Sequence, residues 1–164
     1  MNFRQVKIDE WIKGDYRPFA ELNFKTSDIE KKFNVVFEDS FEDGLGETKL
    51  GGFVTESGTQ FFLEEFSPQS EKSTVQVGIL NNLETLAIHL DEVLESLELT
   101  SKYLTWFNEN IKLQSYELWR QDDNGHKFLI ETFPCKADAV RAMKEFEARL
   151  YKQIYWIEKI KIVR

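Results

Sequence analysis

The tightest constraint on folding lies in the last third of the chain, where Asp122-Asp123-Asn124-Gly125 separates two strand-like runs, Ser115 to Gln121 and Lys127 to Phe133. Asn-Gly is among the best short signals for a tight hairpin, because its residues tolerate the positive φ that a two-residue turn demands. A helix from Lys136 to about Tyr151 follows, with Ala139, Val140, Met143, Phe146 and Leu150 on one face, and Gln153 to Val163 reads as a closing strand. The result is a ββαβ unit over residues 111–164, and at about 50 residues such a unit is marginal alone. Side chains alternate along a strand. If Leu118, Phe128, Ile130, Ile154 and Trp156 face the helix, then Trp119, Leu129, Phe133, Tyr155 and Ile157 fall on the other side. That second apolar face requires a cover: the preceding part of the chain, another copy in a homodimer, or a ligand.

Upstream, the runs Lys49 to Thr55, Gln60 to Phe66 and Ser73 to Leu80 are separated by Ser57-Gly58 and Ser67-Pro68-Gln69-Ser70, the pattern of an antiparallel meander. Val75, Val77 and Ile79 alternate with Thr74, Gln76 and Gly78, as in a strand with one buried face. Val35-Val36-Phe37 reads as a further strand, followed by a turn at Asp43-Gly44-Leu45-Gly46. Before it, Thr26 or Ser27 caps a short helix through Phe33, with Glu30 placed as in a capping box. Residues 81–98 carry the strongest helix signal: Leu83, Leu86, Ala87, Leu90, Val93, Leu94 and Leu97 recur at steps of three and four, Asn81 and Glu84 form a cap pair, and Asp91, Glu92, Glu95 and Glu98 take the outer side. Phe3 to Phe24 and Thr100 to Asn110 show no clean period; the first is read as a strand or short helix followed by a turn. The expectation is an α+β fold, an antiparallel meander with a packed helix followed by the ββαβ unit, in two parts: an acidic domain over 1–110 and the unit over 111–164 packed upon it.

Charge supports that division. Residues 1–110 hold 10 Lys/Arg against 21 Asp/Glu, a net of −11, whereas residues 111–164 hold 11 against 8, a net of +3. The first part is thereby disfavoured for nucleic acid. With 14 Phe, 5 Tyr and 4 Trp, rings should dominate the core or an interface. No run approaches the roughly 20 apolar residues of a membrane span, Met1 to Glu10 lacks a hydrophobic signal core, and a lone cysteine suits a reducing compartment, so a cytoplasmic protein is expected.

The stretch Trp119-Arg120-Gln121-Asp122-Asp123-Asn124-Gly125, with Phe128, Phe133, Ala139, Phe146-Glu147, Lys152-Gln153 and Tyr155-Trp156, resembles a small uncharacterised bacterial ββαβ family. The resemblance covers the last third of the chain and implies a bacterial or phage origin and a fold, without an activity. Phe128 to Leu150 is also similar to half of a SPOR peptidoglycan-binding repeat, whose second half is missing.

Familiar chemistries find little support. His89, His126 and Cys135 do not fall at metal-ligand spacing, and Asp122 to Gly125 lacks the alternating ligands of an EF-hand loop. Gly44, Gly46, Gly51 and Gly52 match no phosphate-loop pattern and sit among acids that repel phosphate. Cys135 stands just before the last helix, where a helix dipole favours a thiolate, with His126 across the hairpin; a small residue at a cap position is the simpler account. His89 is read as a helix-flank residue, and Lys136, Arg141, Lys144, Arg149 and Lys152 as a solvated helix face. No catalytic residue, metal ligand or cofactor is assigned.

The densest charge is Glu38, Asp39, Glu42, Asp43 and Glu47, either a solvated loop or a patch that steers onto a basic partner. By elimination, the expected function is non-enzymatic protein binding: an immunity protein or inhibitor that covers a basic, nuclease-type toxin or nucleic-acid enzyme with these acids and with aromatics such as Trp119 and Tyr155. The alternatives are a nucleic-acid-binding adaptor that stacks bases on Trp119 and Tyr155, and a small enzyme or ligand-binding domain around Cys135.

Overall fold

The computed structural model describes residues 2–7, 16–44, 46–67, 74–80, 86–108, 114–149 and 153–160. Its strands are β1 (Phe3–Val6), β2 (Tyr16–Leu22), β3 (Glu38–Glu42), β4 (Gly46–Thr55), β5 (Gln60–Phe66), β6 (Val75–Leu80), β7 (Leu104–Phe107), β8 (Tyr116–Gln121), β9 (Lys127–Phe133) and β10 (Ile154–Lys159). Its helices are α1 (Thr26–Phe33), α2 (Leu86–Ser96) and α3 (Lys136–Glu147). Every strand pair among these is antiparallel, and the fold is α+β as expected.

The larger sheet has seven strands in the order β1-β4-β5-β6-β2-β7, with β3 added to the same edge of β4 that carries β1. The meander β4-β5-β6 forms its middle, and β2, from the stretch without a clean period, is inserted between β6 and β7. One face is a layer of rings and branched chains: Phe53 lies opposite Phe61, and Phe61 opposite Ile79. Phe3 packs edge-on against Phe33 and Phe53 at 5.1 and 5.4 Å, while Phe53 and Phe61 stack at 5.4 Å. The apolar stripes of α1 (Ile29, Phe33) and α2 (Leu90, Val93, Leu94) close over this layer, continued by Leu97 just beyond α2. On the opposite face the Phe62 ring, edge-on to Tyr16 at 5.9 Å, lies over Gly78, its cross-strand partner; a Cβ there would stand 2.0 Å from the ring and would displace it.

Several expectations are corrected. The strand expected at Val35-Phe37 begins instead at Glu38, and Val35 to Phe37 is a connector in which Val35 and Phe37 are buried. The Asp43 to Gly46 turn does close a hairpin, with φ of 87° at Gly44 and 91° at Gly46; Leu45 lies outside the described residues. Neither Thr26 nor Ser27 caps α1 as a local box. The N-cap is Lys25, and the Thr26 N–H and hydroxyl both donate to the buried carboxylate of Glu65 on β5, at 3.0 Å for the N–H. Glu30 accepts instead from the Phe37 N–H. The proposed Asn81–Glu84 cap pair lies outside the described residues.

The C-terminal stretch folds as β8, β9, α3 and β10, in a three-stranded sheet ordered β10-β8-β9. The face assignment of β10 is inverted relative to expectation. Pairing places Trp156 opposite Trp119 and Ile157 opposite Leu118, so Ile157 and Tyr155 join Leu118 on the helix side and Trp156 goes to the other. The larger unit meets the small one through α2, which packs on α3 and bonds Tyr116 of β8, while Leu129 and Ile154 on the second face of the small sheet stay exposed. Among the described residues, no helix is long and apolar enough to cross a membrane.

Candidate functional site

Three places concentrate polar chemistry. At the β3–β4 hairpin, Glu38, Asp39, Asp43 and Glu47 are all exposed, and Glu42 shares the hairpin through its pairing with Gly46. The five acids expected to cluster do stand on one hairpin. Directly opposite residues of an antiparallel pair share a face, so Phe41 lies beside Glu47 and Asp39 beside Lys49. Phe41 is 69 % exposed, an unusual position for a phenylalanine. Lys49 leans toward Glu30 at 4.0 Å. Beyond β4, β3 pairs with no other strand among the described residues, so its outer edge is open.

On the small sheet, Trp119 and Tyr155 point to opposite faces and cannot form one stacking platform. Trp119 stacks on Trp156 at 6.3 Å, and each indole N–H donates to the glutamate two positions away on its own strand, Glu117 at 2.9 Å and Glu158 at 2.8 Å. The Lys127 ammonium sits 5.5 Å from the Trp156 ring. Tyr155 stacks instead on Phe146 of α3 at 5.9 Å, beneath the helix.

The third place joins the two units. Asp91, assigned to the outer side of α2, is in fact buried; its carboxylate accepts from the Tyr116 hydroxyl at 2.8 Å and from the Lys136 N–H at 3.3 Å. That second bond satisfies one of the first-turn donors of α3 that otherwise have no partner in the helix. Beside it, Lys136 pairs with Glu95 at 2.8 Å, and the Ser101 N–H donates to Asp138. Burial pushes the Asp91 carboxyl above its ordinary value, against the lowering effect of its bonds from Tyr116 and Lys136. The Tyr116 hydroxyl is raised by burial and by Asp91.

Cys135 belongs to this joint. It is fully buried, its thiol donates to Asp138 at 2.9 Å, and burial, with that bond, pushes it up to about 12. A thiol so placed holds its proton, the reverse of an activated nucleophile. His126, its imagined base, stands exposed at the hairpin tip 3.3 Å from Asp122, whose carboxyl is held below its ordinary value first by the His126 backbone N–H. His89 lies 3.2 Å from the Thr59 hydroxyl and 3.9 Å from Glu92. Among the described residues, no three His, Cys, Asp or Glu side chains are grouped to hold a metal ion.

Two buried acids escaped the sequence reading, although a signal existed for one. Glu65 continues the buried register of Phe61 and Leu63, so an acid in phase with a core face marked it as bonded. Asp91 is flanked by Leu90 and sits at the border of the α2 stripe, where period alone does not decide between water and a neighbouring unit. No family model, curated protein or solved structure matches the chain.

Proposed function

We propose that this protein binds a basic protein partner through the β3–β4 hairpin, acting in the cytoplasm as an immunity protein or inhibitor of a nuclease-type toxin or nucleic-acid enzyme. The observation that carries this reading is Phe41, 69 % exposed in the middle of the acid hairpin and opposite Glu47. Charged side chains on an open edge strand have a simpler role, since they keep the edge from pairing with other chains. That role accounts for Glu38 and Asp39 on β3. It does not account for a phenylalanine at the same edge, which works against it. An exposed ring surrounded by carboxylates has the anatomy of an interface anchor with a polar rim, and the rim charges speed encounter with a basic surface.

The test is affinity capture from the native host with the full chain. A basic protein should be retained, be released as salt is raised, and be lost on Phe41→Ala and on combined neutralisation of Glu38, Asp39, Asp43 and Glu47. Capture of no basic protein, or capture that ignores both variants, rejects the proposal.

A further inference from the structure

Apart from the acid hairpin, one cleft in the small unit gathers cationic side chains that have no carboxylate partner among the described residues. It lies between the last turn of α3, the start of β9 and the strand ends of β8 and β10, with a volume of about 630 Å³. Its walls carry two arginines, each laid on a ring: the Arg120 guanidinium is 5.0 Å from the centre of Phe128, and that of Arg149 is 5.1 Å from the centre of Phe146. Lys32, Lys49, Lys136 and Arg141 each stand against a glutamate, whereas other described cations, such as Lys102 and Lys127, lie over rings as the two arginines do. Among the described residues, neither Arg120 nor Arg149 has a carboxylate within ion-pair distance; Arg120 donates to the Gln153 side-chain carbonyl at 3.1 Å. What sets Arg120 and Arg149 apart is that both line one cleft, in a chain of net charge −8.

A guanidinium held over a ring still carries N–H groups for two oxygens of one anion, and Arg120 has so far given one of its own to Gln153. The α3 C-terminus faces the same cleft with a fractional negative charge, worth about half an elementary charge, so two full positive charges outweigh it. The other walls are flat and apolar: Phe128 is 42 % exposed, and the Phe146–Tyr155 stack forms the side beneath the helix. The volume falls within the roughly 300–1,000 Å³ usual for small-molecule sites. An anion alone needs no such ring surface, and an uncharged ring needs no arginine pair.

We infer that this cleft binds a nucleotide, with the phosphate held between Arg120 and Arg149 and the base laid against the exposed side of Phe128. The site is separate from the acid hairpin and does not depend on the function proposed for it. The ligand is either a free mononucleotide or one nucleotide of a single strand, since both present the same phosphate and ring.

Calorimetric titration of the full chain decides the matter, with 5′-AMP, adenosine, inorganic phosphate and a single-stranded octanucleotide as probes. AMP should bind at least tenfold more tightly than adenosine or phosphate, and Arg120→Lys and Arg149→Lys should each weaken it at least fivefold, since lysine keeps the charge and loses the two-pronged contact. Arg120→Gln with Arg149→Gln should abolish AMP binding, with folding verified by an unchanged thermal midpoint. Should the octanucleotide bind more tightly than AMP and lose that affinity in the same variants, the nucleotide belongs to a strand; a weaker or equal octanucleotide assigns the cleft to the free form. AMP that binds no better than phosphate, or equally well to the doubly substituted chain, overturns the inference.

Discussion

The two sheets differ more in depth than in size. The helix-covered face of the larger sheet lies in a core that includes Phe3, Phe19, Phe53, Phe61, Leu63, Val77 and Ile79. Among the described residues beyond Thr100, the buried hydrophobic ones are Tyr116, Leu118, Cys135 and Ala139. Of these, Cys135 belongs to the main core and Tyr116 is bonded to Asp91 on α2. So shallow a set of buried side chains gives the small sheet and its helix little to set against the entropy of ordering them. The small unit therefore takes its stability from the joint with α2, and leaves its remaining rings half covered and available.

That contrast sets the order of expected effects. Phe53→Ala in the deep core should cost about 4 kcal/mol and lower stability across the whole chain, whereas Leu118→Ala, at about 3 kcal/mol, should loosen the small unit first. Hydrogen exchange on β8 and β5 separates the two; equal loss in both strands for Leu118→Ala would show that the units are one cooperative block.

Next comes the joint. Asp91→Ala leaves the Tyr116 hydroxyl and the Lys136 N–H without their acceptor and should cost about 2 kcal/mol, read from the denaturant midpoint. The same variant should speed alkylation of Cys135, which in the intact protein should react far more slowly than an exposed thiol at pH 8, because its thiolate is scarce and its sulfur covered. Rapid alkylation of the unaltered protein would mean that the joint opens readily.

A smaller effect is tied to pH. The folded Asp91 carboxyl sits above its ordinary value, so it binds its proton more tightly than in the unfolded chain. Well below the ordinary Asp value of about 3.9 both forms are protonated; as pH rises the unfolded group ionises first, and stability falls until the folded group has ionised too. Asp91→Asn removes the titrating group and keeps one of the two acceptor oxygens, those that receive Tyr116 and Lys136, so it should remove that part of the slope at the cost of one bond. An unchanged pH profile in the variant would place the titration elsewhere. The smallest change, Gly78→Ala, forces the Phe62 ring to move and should cost about 1 kcal/mol or somewhat more, and a shift confined to Phe62 and Tyr16 ring resonances would verify it.

Much of this architecture was legible in the residues. The meander and the Asn-Gly hairpin follow from local periods and turn chemistry and stand where expected, and of the expected α2 stripe Leu90, Val93, Leu94 and Leu97 lie in the core. The inverted face of β10 was not legible, because Ile154-Tyr155-Trp156-Ile157 is apolar at every position and carries no phase; pairing with β8 supplies it. The acids of the hairpin were visible as a cluster, but the exposure of Phe41 depends on β3 lying at the sheet's edge. Arg120 and Arg149 are 29 positions apart in sequence, and only the packing of α3 on the sheet brings them to one cleft.

Both α1 and α3 begin under a carboxylate supplied from elsewhere, and the direction of the borrowing differs. Glu65 follows Thr26 by 39 positions, whereas Asp91 precedes Lys136 by 45. During synthesis, then, the first helix leaves the ribosome before its anchor exists and stays frayed until β5 is made. The last helix emerges with its anchor already in place and can settle as soon as it is long enough to reach α2.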